Sequence, residues 1–214
     1  PGGAGQGSAR QGKVISRFGN YFKGEQMSQK IELKQITFEI TGASAVLMNN
    51  PASMLTPKDA GISRKVIPTP EEECKAKAYR LPSGQLYIPS AAFMGAVMEA
   101  AKGQKINKRA AGTVLAASLF PSGECCPLYH AETGDPIKEY EIDVRRAVVQ
   151  RQGILRARPK VFPWKCEITF DYVALLNEKA IVDVLTEAGK LIGILDYRPQ
   201  RKGPFGRFSV QQVS

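Results

Sequence analysis

The residues best suited to chemistry lie near the C-terminus, in the stretch GILDYRPQRKGPFGRF at positions 193–208. It holds the cations Arg198, Arg201, Lys202 and Arg207, the glycines Gly203 and Gly206, and the aromatics Phe205 and Phe208. Glycine lets a backbone approach a ligand closely, and successive free N–H groups make an anion-binding concavity. Arginine forks grip phosphate, and aromatic rings offer faces to bases. These residues predict phosphate binding by the side chains and by amides near Gly203 and Gly206. The plainer alternative is a basic turn before a last strand.

A second basic group precedes it. From Val144 to Lys160 there are six cations, Arg145, Arg146, Arg151, Arg156, Arg158 and Lys160, and no acid. The stretch Tyr140–Lys160 reads as a β-hairpin or finger with arginine on its surface. Arginine on an edge strand can also serve only to block aggregation, but six cations without a counter-charge favour a polyanion. A third cluster, Lys102, Lys105, Lys108 and Arg109, is either a solvated surface or a phosphate contact.

Catalytic candidates are sparse. The cysteines are Cys74, Cys125, Cys126 and Cys166, and the only histidine is His130. Adjacent Cys125 and Cys126 lack the spacing of a zinc knuckle. A site from Cys125, Cys126 and His130 is conceivable, but reduced thiols are the better expectation. Asp59, in a loop after the first strand, is otherwise a surface carboxylate. We therefore expect no catalytic residue, no metal and no cofactor.

The elements that must position these groups follow from pattern. Lys30–Thr41 alternates with a shift at Gln35, which predicts a strand with a bulge. Residues 43–80 are rich in Asn, Pro and Gly and predict a long irregular excursion. Pro82-Ser83-Gly84 turns a short hairpin over Ala78–Ile88. A helix follows over 90–102, with Ser90 as N-cap and Phe93, Met94, Val97, Met98 and Ala101 on one face. The apolar run Thr113–Phe120 predicts a strand covered on both faces. Val161–Leu175 is a strand, Asn177 caps a helix to 188, Leu191–Leu195 forms a further strand, and Phe208–Val213 returns beside it. Without the excursions the order is β-α-β-β-α-β, an α+β, ferredoxin-like or RRM-like antiparallel sheet with helices on one face.

Composition agrees with a polyanionic partner. The 214-residue chain carries a net charge of +10 and a pI near 9.5, the balance of a nucleic-acid binder. No run approaches the ~18 apolar residues of a membrane span, so no membrane partner is expected. Residues 1–26 read as a disordered basic leader or an expression remnant, and 27–214 as one domain with insertions at about 43–80 and 121–160.

The chain resembles the RAMP superfamily of CRISPR proteins, most of all the backbone subunit that polymerises along guide RNA. The segment YIPSAAFMGAVMEAAKG (87–103) resembles that family's first helix and its lead-in. The basic insertion 138–160 stands where the family has a thumb-like hairpin, and 193–208 resembles its glycine-rich loop. The likeness covers about 28–212. Family members are generally longer, which fits a small or phage-borne relative.

The resemblance implies a cytoplasmic protein that binds guide RNA and target nucleic acid, copies of itself and other effector subunits. It also implies the alternatives. Some members cut RNA with a metal and a loop aspartate, for which Asp59 is the positional candidate without a matching motif. Others process RNA with a histidine, for which His130 has no recognisable partner set. A viral mimic that blocks a host complex and a general single-strand binder are the remaining readings.

Overall fold

The computed structural model describes residues 32–54, 68–149 and 152–213. The expectations for 1–26, for Asp59 and for Arg151 fall outside them. In chain order the elements are β1 (Leu33–Gly42), β2 (Val46–Leu47), α1 (Pro70–Lys77), β3 (Tyr87–Pro89), α2 (Ser90–Ala100), β4 (Lys105–Ile106) and β5 (Arg109–Ala110). There follow α3 (Ala111–Ser118), β6 (Leu119–Pro121), β7 (Cys125–Pro127), β8 (Glu141–Val149), β9 (Gln152–Val161), β10 (Lys165–Val173), α4 (Glu178–Glu187) and β11 (Phe208–Gln212).

The central sheet has the order β11-β1-β10-β6, and every neighbouring pair in it is antiparallel. With α2 after β1 and α4 after β10, this is the β-α-β-β-α-β sheet expected from the order of elements. Period-two alternation sets its two faces. Ile36, Phe38 and Ile40 of β1 and Cys166, Ile168, Phe170 and Tyr172 of β10 are buried in one core with Phe93 and Val97 of α2 and Ile181, Val184 and Leu185 of α4. Phe93 meets Phe208 edge-to-face at 5.5 Å between centroids, which ties α2 to β11. The opposite face is polar: Thr37 and Thr169 hydroxyls lie 3.0 Å apart, and Gln35 donates to Asp171 at 2.8 Å.

Five local expectations are corrected. β1 pairs with β10 in unbroken register from Leu33↔Val173 to Thr41↔Lys165, so there is no bulge at Gln35; Leu33 simply lies exposed at the strand's start. The run Thr113–Phe120 is mostly helix, with only Leu119–Pro121 in the sheet. Its Leu115-Ala-Ala favours helix, and Ala111, Leu115 and Leu119 are buried at helical spacing.

Leu191–Leu195 is not a strand. Ala188–Ile192 instead forms a π turn continuous with α4, and β11 alone closes the sheet beyond β1. Within the 43–80 excursion, Pro70–Lys77 is a helix. Thr69 accepts from Glu72 N–H while the Glu72 carboxylate accepts from Thr69 N–H, a capping box. Ser90 is also not a cap: Pro89 holds that position and Ser90 is the buried first helical residue. Asn177 does cap α4, its side chain accepting from Lys179 N–H at 2.9 Å.

The predicted hairpin is present as β8 and β9, paired from Glu141↔Lys160 to Val149↔Gln152. β2 extends it to three strands through Val46↔Val161 and Leu47↔Lys160. The C-terminal loop joins the same small sheet through an antiparallel bridge, Leu47↔Asp196. That bridge brings the two basic stretches of the sequence side by side.

Candidate nucleic-acid interface

Antiparallel register puts directly opposed residues on the same face of a hairpin. Asp143 faces Arg158, and Arg145 faces Arg156, across β8 and β9. Arg145 is held by a two-pronged contact with Asp143, Nε to Oδ1 at 2.7 Å and Nη2 to Oδ2 at 3.0 Å. Its guanidinium carbon lies 4.8 Å from the centroid of Phe205 and 5.9 Å from that of Tyr197. Both rings belong to the C-terminal loop, so one cation ties the hairpin to that loop by stacking. The hydrogen bonds to Asp143 push the Arg145 pKa up, and it stays charged.

Arg145, Arg146 and Arg158 from the hairpin, with Asp196, Tyr197, Arg198 and Arg201 from the loop, line a cavity of about 790 Å³. Five arginines therefore line one open space. Arg198 is spoken for in part: Nη1 donates to Leu195 O at 2.7 Å, and Nε and Nη2 donate to Gln200 Oε1 at 3.0 and 2.7 Å. The Arg146 side chain crosses Gly153, where a Cβ would stand 2.4 Å from its Nε. Arg201, Lys202 and Arg207 are exposed around the loop.

The acid-free window is not electrically bare. Besides Arg145 with Asp143, Arg156 pairs with Glu73 at 3.2 Å, Lys160 with Glu141 at 2.8 Å and Arg158 with Asp196 at 2.5 Å. Glu73 also accepts from Lys77 Nζ at 2.6 Å and from Ala157 N–H at 2.8 Å, clasping α1 to β9. Burial raises the Glu73 pKa, but the bonds from Lys77, Ala157 and Arg156, with the charge of Lys77, outweigh it and hold the carboxyl below its ordinary value. These acids escaped the sequence reading because they come from other elements. Only Asp143 and Glu141, just outside the window, gave a local signal.

Two expectations for the loop change. The Gly203 and Gly206 amides are not free for phosphate, since they donate to Arg198 O at 3.0 Å and Ala45 O at 2.8 Å. The glycines are there for the loop's own packing. A Cβ on Gly203 would lie 1.8 Å from Tyr197 O, and one on Gly206 (φ +74°) 2.0 Å from Ile194 O. Nor are Phe205 and Phe208 open to bases, because both are buried. Tyr197, unremarked in the sequence, is the loop aromatic that stays open, at 39% exposure.

The third cluster stands apart. β4 and β5 form a small hairpin whose turn residues, Asn107 and Lys108, have φ of 49° and 66°. Lys105, Lys108 and Arg109 are exposed there, and none lines the cavity. Lys102 pairs with Glu99 at 2.6 Å.

The Cys125/Cys126/His130 arrangement does not assemble. Cys125 is exposed and Cys126 buried on alternate sides of β7, and burial pushes the Cys126 thiol up to about 12. Among the described residues no group of three or more His, Cys, Asp or Glu could hold a metal. His130 Nδ1 accepts from Thr133 N–H at 3.4 Å within a turn, its backbone N–H donates to Asp135 O at 2.8 Å, and among the described residues no acid or lysine side chain is hydrogen-bonded to the ring.

No protein-family model matches the chain, and no curated protein matches it. Among solved structures it is similar to a chain of the type III-B Cmr-β complex bound to cognate target RNA, determined by cryo-EM. The TM-score is 0.56 at 12% identity, over 86% of this chain and 61% of that one. The protein thus has an α+β fold, an antiparallel sheet with its helices packed on one face, similar to that of a chain in this complex.

Proposed function

We propose that this protein is an RNA-binding backbone subunit of a CRISPR effector complex, one that polymerises along guide RNA. The observation that carries the reading is the cavity where arginines of the hairpin and the C-terminal loop converge. A run of phosphates offers what such a cavity lacks, several negative charges at fixed spacing. Tyr197 supplies an exposed ring beside them. Arg145, Arg158 and Arg201 hold the backbone, Arg146 and Arg156 flank it, and Arg198 shapes the loop. Lys160, Lys202 and Arg207 add a positive field at the edges.

The fold likeness to a chain of an RNA-bound CRISPR complex supports the same assignment. In this reading the partners are guide RNA, target nucleic acid, further copies of the chain and other effector subunits, in the cytoplasm. The role is scaffolding rather than cleavage and needs no cofactor. Sequencing the RNA that co-purifies from the native cell tests it. A uniform guide set is expected. Random RNA points to a general single-strand binder, and no RNA binding even at low salt overturns the proposal.

A further inference from the structure

Among the described residues the cavity is lined by five arginines and a single acid, Asp196. Its position is fixed from both ends. Its N–H donates to Leu47 O at 3.1 Å, and its Oδ1 accepts Tyr197 N–H at 2.9 Å. The remaining oxygen, Oδ2, lies 2.5 Å from Arg158 Nε. Yet that N–H is not aimed along a hydrogen bond. Both atoms are shielded from solvent, and among the described residues neither has a hydrogen-bond partner. Arg158 and Asp196 thus attract by charge while each keeps an unmet hydrogen bond, which is costly for buried polar atoms.

For a phosphate oxygen to meet the shielded Arg158 N–H, the Asp196 carboxylate must give way, and where it stands it opposes the phosphate with like charge. We propose that Asp196 is an internal counter-ion that occupies the phosphate position beside Arg158 and sets the threshold for RNA binding. An incoming strand has to outcompete it. One phosphate gains little by doing so, whereas a strand that engages the other arginines at the same time gains enough. Asp196 would therefore favour continuous single strands over small anions. This inference rests on the RNA-binding reading and assigns that site its selectivity.

The test is the affinity of the full chain for a labelled single-stranded RNA oligonucleotide over a salt series. Asp196→Asn keeps an oxygen for Tyr197 N–H and removes the charge. It is expected to tighten binding by about three- to tenfold, as one charge removed near the phosphate predicts. The log–log salt slope should steepen by up to about 0.7, one additional phosphate neutralised. In an Arg158→Gln background the gain should vanish, since a coupled pair is non-additive.

Unchanged or weaker binding by a folded Asp196→Asn protein overturns the inference, as does an equal gain without Arg158. Should that variant lose the wild-type circular dichroism spectrum, Asp196→Ser is read in the same way. If both variants unfold, Asp196 is structural and the inference is overturned. Wild-type protein that binds no RNA at any salt overturns the RNA-binding reading itself, a result separate from an unresponsive Asp196.

Discussion

The hairpin arginines and the cations of the β4–β5 turn carry the same charge in opposite settings. Arg145 is gripped by Asp143 and stacked on Phe205, and Arg158 is set against Asp196. Their side chains are already ordered before any ligand arrives. Lys105, Lys108 and Arg109 project from a small two-stranded hairpin. Immobilising a long side chain on binding costs about 0.5–1.5 kcal/mol. Pre-ordered cations avoid most of that cost, while free ones incur it at the moment of contact. Under the proposed function, positive charge alone does not mark the site; the carboxylates and rings that fix it do.

The largest effect should come from emptying the cavity. Arg145→Ala, Arg158→Ala and Arg201→Ala together are expected to weaken RNA binding by on the order of 100-fold or more and to flatten the salt slope by about 2. An anisotropy titration over a salt series checks both. The contrast with the turn fails if that triple variant binds like wild type.

Next comes the loop's shape. Gly206→Ala sets a Cβ against Ile194 O in a left-handed conformation, which should cost on the order of 2–4 kcal/mol. Denaturant melts would record it, with RNA affinity falling alongside because Arg198 and Arg201 are displaced. A neutral Gly206→Ala would mean that the loop does not need its observed packing.

Glu73→Gln should be milder, at about 2 kcal/mol, because the charge-assisted bonds to Lys77, Arg156 and Ala157 become ordinary ones. The sign of its pH dependence follows from its depressed pKa in the folded state. The Glu73 contribution is complete above the unfolded carboxyl pKa and is lost as pH falls through the lower folded value. Thermal melts across that acid range should show wild type losing stability faster than Glu73→Gln. Equal pH slopes would remove Glu73 from the account.

The smallest binding effect belongs to the turn. Lys105→Ala, Lys108→Ala and Arg109→Ala together should weaken RNA binding by only about threefold, through the long-range field. A loss as great as that of the cavity triple would abolish the distinction between the two regions. As a separate check on scaffolding, bound RNA should stay intact with magnesium or manganese. Cleavage lost in Asp59→Ala or His130→Ala would instead identify an RNase.

Much of the sheet was legible because its elements are amphipathic on their own. The alternation Cys166, Ile168, Phe170, Tyr172 and the capped helix after Asn177 each name their structure locally. Thr113–Phe120 misled because a short apolar run fits a buried helix as well as a buried strand, and its alanines tipped the balance. Leu191–Leu195 misled because α4 continues through a π turn. The basic stretches were visible, but their organisation was not. Glu73 reaches Ala157 from 84 residues away, and Asp196 reaches Arg158 through a bridge to β2. Such partners follow from topology and leave no trace in a window of sequence. Gly203 and Gly206 suggest a ligand contact by residue type, whereas their neighbours are Tyr197 O and Ile194 O.

Photo-crosslinking of bound single-stranded RNA, with the modified peptides mapped by mass spectrometry, tests the central claim most directly. Adducts are expected in the hairpin at 145–158 and in the loop at 197–207, with Tyr197 foremost. Adducts confined to the 105–110 turn or to the polar face of the central sheet would contradict it.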